Sequence, residues 1–285
     1  MKYALCNELF GNIELSRAAQ ITKKAGYSGI EFAPFTVFGS FSSADVQAGI
    51  ANIKKVLAEN DLAYAGFHWV LVDPKLPMFF VSPDKAIRET AVERLRLLLS
   101  ASGELGGGNL VLGSPKQRCV SPGQSIAEAA AIFTDNVLSL ANHAVKCNST
   151  LLIESLAHEQ CDVVNTLAQA KEIADAASLE TSPAGLVEGT SPGISGMFDF
   201  HNCGDETESW DVLIRKYAGF IKHVHINEVD GGPPGSGTSD YIPAFKALKE
   251  IAFDKWISME IFTTPPDPFK VISDALVFTK KMEEL

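Results

Sequence analysis

The chain has 285 residues, 46% hydrophobic and 21% charged, and its 35 Asp and Glu against 24 Lys and Arg leave a net charge of −11. No stretch gathers Lys or Arg into a stripe, which argues against a nucleic-acid partner, because phosphate recognition needs clustered basic surface. No apolar run approaches the ~18 residues of a membrane span, and the start Met1-Lys2-Tyr3-Ala4-Leu5-Cys6 lacks a signal-peptide core, so a cytoplasmic protein without a membrane partner is expected. The five cysteines (Cys6, Cys119, Cys147, Cys161, Cys203) form no C-x-x-C pair and are read as reduced thiols.

In chain order, short apolar runs alternate with stretches of helical periodicity. A strand from Tyr3 to Leu9 precedes a helix from Ile13 to Ala25, and Gly29 to Ala33 precedes Ser43 to Glu59. The third pair is Ala63 to Trp69 with Pro83 to Leu105, and the fourth is Asn109 to Gly113 with Ser125 to Lys146. Thr150 to Leu156 then leads to Asn165 to Ala177, and Gly196 to His201 to Glu206 to Tyr217. The last two pairs are Ile221 to Asn227 with Ile242 to Ile251, and Trp256 to Phe262 with Pro268 to Glu283. Asp84, Ser125 and Asp240 stand where helix starts are expected. The stretch Ser182 to Gly196, rich in Gly, Pro and Ser, reads as an ordered excursion before the sixth strand.

Strands as apolar as Leu110-Val111-Leu112 and Leu151-Leu152-Ile153 suit a sheet covered on both faces. Eight alternations without a long polar linker predict one α/β domain over residues 1–285, a closed (β/α)8 barrel. The competing architecture is a doubly wound open sheet. It would carry a Gly-rich turn after an early strand, whereas Gly106-Gly107-Gly108 lies before a strand and reads as the end of a helix.

In such a barrel the site is built at the C-terminal ends of the strands. Four consecutive strands each deliver an ionisable residue there: Glu154, Asp199, His225 and Glu260. Three carboxylates converging without a counter-charge repel one another, and a divalent cation would neutralise them. Oxygen and imidazole donors without thiolate favour Mn2+, Mg2+ or Co2+, with Zn2+ less favoured.

The segments Ile153-Glu154-Ser155-Leu156 with Asn165-Thr166, Met197-Phe198-Asp199, His223-Val224-His225 with Pro234-Gly235-Ser236-Gly237, and Met259-Glu260 resemble the sugar isomerase and epimerase family with a xylose-isomerase-like barrel. Its ketose 3-epimerase and hydroxypyruvate isomerase branches offer the nearest chemistry. The resemblance implies one metal ion held by Glu154, Asp199, His225 and Glu260, with Glu154 and Glu260 as the proton-transfer pair. The implied activity is metal-dependent isomerisation or epimerisation of a sugar or sugar phosphate. It proceeds by proton transfer at a carbon beside a carbonyl, where the ion stabilises the enediolate. A homodimer or homotetramer is compatible with it.

Three positions depart from the family pattern. Gln160 stands where the epimerases carry a second Glu, Gly231 where they carry an Arg, and His201 lies two rather than three residues after Asp199. The substrate contacts therefore differ, and Gln160 and His201 are taken as candidates for them. His68 and Trp69 are read as a sugar-binding pair or, for the histidine, a core residue. Arg118, with Lys116, reads as a grip for an anionic group or as half of a loop ion pair. Glu8 and Glu31 either face the pocket or serve as hydrogen-bonded structural carboxylates, and His223 is assigned a supporting position. An endonuclease IV type phosphodiesterase ranks low, because its extra metals require more His and Asp ligands than a chain with six His supplies. An inosose dehydratase-like lyase on the same metal platform and a non-enzymatic carbohydrate-binding barrel are the remaining alternatives.

Overall fold

A computed structural model describes residues 1–180 and 193–285. Eight parallel strands close into a barrel in the order β1 to β8. They are β1 (Lys2–Cys6), β2 (Gly29–Phe32), β3 (Ala63–Phe67), β4 (Asn109–Leu112), β5 (Thr150–Ile153), β6 (Ile194–Asp199), β7 (Ile221–Ile226) and β8 (Trp256–Met259). The helices are α1 (Leu15–Ala25), α2 (Pro34–Val37), α3 (Ser43–Glu59), α4 (Lys85–Glu104), α5 (Ile126–Lys146), α6 (Leu167–Glu180), α7 (Trp210–Lys216), α8 (Ile242–Glu250) and α9 (Pro268–Glu284). The closed ring excludes the open sheet, and every helix and strand read from the sequence is present within a few residues. Periodicity did not reveal α2, a single turn opened by Pro34, or the 3-10 turn Asn7–Phe10 that ends the first strand at Cys6 instead of Leu9. Of the expected excursion before β6, residues 182–192 lie outside the described residues.

Local chemistry explains the boundaries. Asp84 accepts from Ala86 N at 2.8 Å and Ser125 from Glu128 N at 3.2 Å, so α4 and α5 start on side-chain caps. Asp240 accepts from Ile242 N at 3.1 Å at the start of α8. After α4 the backbone turns through Gly106 (φ +107°) and Gly107 (φ +86°), a left-handed exit that glycine makes at little cost. The main apolar core fills the space between the strands and the surrounding helices. Val111, Leu152 and Met197 form a separate small cluster, which marks the face of β4, β5 and β6 turned to the barrel interior. Strand alternation returns to that face two residues later, at Gly113, Glu154 and Asp199. That step places the charged groups.

Candidate metal centre

Register sets the height of each group. Asp199 pairs with His225 across β6 and β7, while Ile226 pairs with Met259, so Glu260 follows immediately beyond on β8. Ligand atoms of Glu154, Asp199 and His225 all lie within 4.8 Å of one another, and all three residues are buried. Glu260 joins them through Oε2, which lies 3.1 Å from His225 Nδ1, and Asp199 Oδ2 lies 3.6 Å from the same nitrogen. The structure therefore brings together the four residues that the strand ends suggested.

The orientation of His225 decides what the cluster can hold. Its Nε2 donates towards Glu31 Oε1 at 3.2 Å, and the second Glu31 oxygen takes His223 Nε2 at 2.7 Å. His225 Nδ1 is left buried, without a hydrogen-bond partner, facing two carboxylates. Burial opposes charging the imidazole, but Glu260 and Glu31 hold its pKa well above the ordinary 6.5. Burial and the neighbouring Asp199 push Glu154 well above the ordinary carboxylate range, whereas His225 overcomes burial to draw Asp199 down. The charge that these groups draw from protons here is what one divalent cation would supply, with Nδ1 and the crowded carboxylates as its donors, so the residues fit the group.

Supporting contacts come from several loops. Asn202 Nδ2 donates to Glu154 Oε1 at 2.9 Å and to Asp199 Oδ2 at 3.3 Å, fixing the two carboxylates together. It stands three residues after Asp199, where the family resemblance had pointed to a histidine, and that spacing was the available signal. Gly113 is needed because a Cβ there would overlap Glu154 Oε2. Trp69 Nε1 donates to Glu260 Oε1 at 2.8 Å. Gln160 Nε2 donates to Asn202 Oδ1 at 3.0 Å and approaches His201 Nε2 at 3.1 Å, while His201 Nδ1 meets Val229 O at 2.6 Å. Gln160 and His201 are half-buried neighbours of the cluster: Gln160 reaches it through Asn202, and the His201 main-chain N donates to Asp199 Oδ1 at 2.7 Å.

Two of the candidate substrate contacts lie buried. His68 is fully buried, with Nε2 2.6 Å from Glu8 Oε2 and its ring 6.0 Å from that of His225, so of its two readings the structure matches the core histidine. Arg118 is also fully buried. It donates to the carbonyls of Glu154 at 2.8 Å and Leu112 at 3.4 Å and to Cys161 Sγ at 3.5 Å. Its guanidinium braces the strand that carries Glu154 and is buried away from the mouth, so it does not grip an anion there. Glu31, fully buried and hydrogen-bonded to His223 and His225, matches the structural one of its two readings, and His223 stands in the supporting position expected of it.

Fold and cluster together define a class: a (β/α)8 barrel whose strand ends bring carboxylates and an imidazole close enough to hold a metal ion. Within that class, the family described as xylose isomerase-like TIM barrel matches residues 19–282, and the chain belongs to it. The chain is similar to 3-dehydro-D-guloside 4-epimerase of Escherichia coli, with 21% identity over 68% of this chain and 71% of that protein. It is also similar to inosose isomerase of Bacillus subtilis, at 29% identity over 52% of this chain and about half (51%) of that protein. Among solved structures, 3-keto-D-glucoside 4-epimerase of E. coli superposes with a TM-score of 0.80 at 19% identity, over 99% of both chains. L-ribulose 3-epimerase superposes with a TM-score of 0.80 at 21% identity, over 100% of this chain and 95% of that one. These superpositions share the fold. Among the described residues no helix is long and apolar enough to cross a membrane.

Proposed function

We propose that the chain is a divalent-metal-dependent isomerase or epimerase of sugars, with Mn2+, Mg2+ or Co2+ as the fitting ions. The observation that carries this reading is the convergence of Glu154, Asp199, His225 and Glu260 around the unpartnered Nδ1 of His225. These four residues would hold the ion, which when bound would polarise a carbonyl and a neighbouring hydroxyl of the sugar and acidify the carbon-bound proton between them. Glu154 and Glu260 arrive from β5 and β8, with β6 and β7 between them. One carboxylate can take a proton from one face of the substrate carbon while the other returns it from the opposite side. Asn202 and Trp69 hold the two carboxylates, and Gln160 and His201 are offered as polar groups for sugar hydroxyls.

The substrate class that fits is an uncharged ketose or keto-glycoside. The loops after β1, β2, β5, β6, β7 and β8 contain no Lys or Arg. In the other two, Lys75 donates to Gly39 O, Arg118 is buried on carbonyls, and Lys116 is an exposed side chain on the turn after β4. Substrates named for the relatives, a 3-dehydro-D-guloside and an inosose, are uncharged in the same way. The test is incubation of the Mn2+-loaded protein in deuterium oxide with free ketoses, 3-keto-glycosides, inososes, sugar phosphates and hydroxypyruvate. Carbon-bound deuterium in an uncharged sugar is expected by NMR. Absence of exchange across the panel overturns the enzymatic reading, and preference for a phosphate or carboxylate overturns the substrate class.

A further inference from the structure

Trp69 combines two unusual features. Its backbone lies in the left-handed region at φ +51°, a conformation that a bulky side chain rarely adopts. Its indole N–H is directed at Glu260 Oε1, 2.8 Å away, while the other oxygen of that glutamate faces His225 Nδ1 at 3.1 Å. Packing on both sides holds the strained residue. His68 N donates to Phe32 O at 3.1 Å and its ring is locked on Glu8, while Val70 and Leu71 are fully buried and Leu71 N donates to Ser114 Oγ at 3.3 Å. Val72 N closes back on Trp69 O at 3.0 Å. Relaxing Trp69 to the ordinary extended region would swing the indole away from Glu260. Strain retained at such a point marks a conformation that the surroundings over-determine.

We infer that Trp69 is a positioning residue for Glu260: its indole N–H occupies Oε1 and so presents Oε2 to the cation. The inference rests on the reading of Glu260 as an ion-holding carboxylate. A tryptophan is suited to this because indole offers one donor and no acceptor on a rigid aromatic wall, and Phe35 packs 6.2 Å away, ring centre to ring centre. With a single N–H on a rigid ring, the indole binds one of the two oxygens and has no second donor with which to take the other.

The experiment is calorimetric titration of Mn2+ into the full chain, the single variants Trp69→Phe and Glu260→Gln, and the double variant. Trp69→Phe keeps the aromatic wall and removes the donor. Trp69→Gly is carried in parallel because glycine accepts the left-handed backbone and folds where phenylalanine does not. Removal of a group that orients a ligand weakens metal affinity by about 10-fold or more. That loss is expected for both Trp69 variants in the presence of Glu260, with little further loss when Glu260 is already Gln. A stabilising wall residue with no hold on Glu260 would lower the melting temperature equally in both backgrounds and leave the affinity unchanged. Unchanged Mn2+ affinity in both Trp69 variants, or the same fold-loss with and without Glu260, overturns the inference. Unchanged affinity in Glu260→Gln alone refutes the ligand assignment instead, so the two failures are distinguishable.

Discussion

Glu31 meets His225 through Nε2, the ring nitrogen that points away from the carboxylate cluster, at 3.2 Å. The contact holds a proton on Nε2 and makes Nδ1, which faces Asp199 and Glu260, the nitrogen that would give its lone pair to a cation in exchange for a proton. Glu31→Gln keeps the volume but allows the amide to turn its NH2 towards the histidine pair, so the tautomer is no longer imposed. Mn2+ affinity is expected to fall by about 10- to 100-fold, measured by calorimetry. An unchanged affinity would show that Glu31 only fills space.

The ligand assignment is checked by Asp199→Ala and His225→Ala. Each is expected to abolish stoichiometric metal after purification and dialysis while far-UV circular dichroism stays that of the parent, since the barrel core does not depend on them. If both variants retain one ion per chain, other residues hold it.

The proton-transfer pair is tested by Glu154→Gln and Glu260→Gln at saturating Mn2+, with occupancy measured in the same samples. Each substitution removes a carboxylate base and is expected to lower kcat by at least ~10². Near-normal turnover at full occupancy in either variant would refute a two-carboxylate mechanism.

Gly113→Ala probes the floor of the site. The added methyl would overlap Glu154 Oε2, whose residue is buried and held by Asn202, so the carboxylate must shift. A fall of at least ~10-fold in Mn2+ affinity is expected. The melting temperature should stay near that of the parent, as the methyl displaces a side chain and not the main chain. Unaltered affinity would mean that Glu154 reaches the ion from another rotamer.

His158 and Asp205 link the loops after β5 and β6, with His158 Nδ1 2.6 Å from Asp205 Oδ1. The hydrogen bond to Asp205, its charge and that of Glu159 raise the pKa of His158 above the ordinary 6.5. A raised folded-state pKa stabilises below the unfolded value and loses that contribution as pH rises through the folded value. The loop link is therefore fully present below the ordinary 6.5 and is lost as pH rises through the raised folded-state value. NMR titration should place His158 above 6.5, and Asp205→Asn should return it towards 6.5; identical titration in both proteins would remove the link.

The alternation of strand and helix was legible because both periods are local: side chains two apart share a strand face, and those three or four apart share a helix face. The same strand period carried Glu154, Asp199, His225 and Glu260 to the interior face, so the ionisable core of the site could be read from the chain. Glu8, Glu31 and His223 were also visible as strand-end polar residues, but whether they touch substrate or one another depends on which strands become neighbours. β1 closes against β8, so only β8 and β1 separate β7 from β2, and Glu31 reaches His223 and His225 although they are 192 and 194 residues away in the chain.

What the sequence determined by itself was the barrel and the residue types at its mouth, because burial and alternation act between near neighbours in the chain. What only the tertiary structure decided was direction. The β4 loop turns Arg118 inward onto the carbonyls of Leu112 and Glu154, so a cation expected at the mouth became a brace. The left-handed backbone at Trp69 aims an indole at Glu260, and Asn202 bridges Glu154 and Asp199. Each depends on hydrogen bonds between groups far apart in sequence, whose partners and angles exist only once the ring of strands has closed.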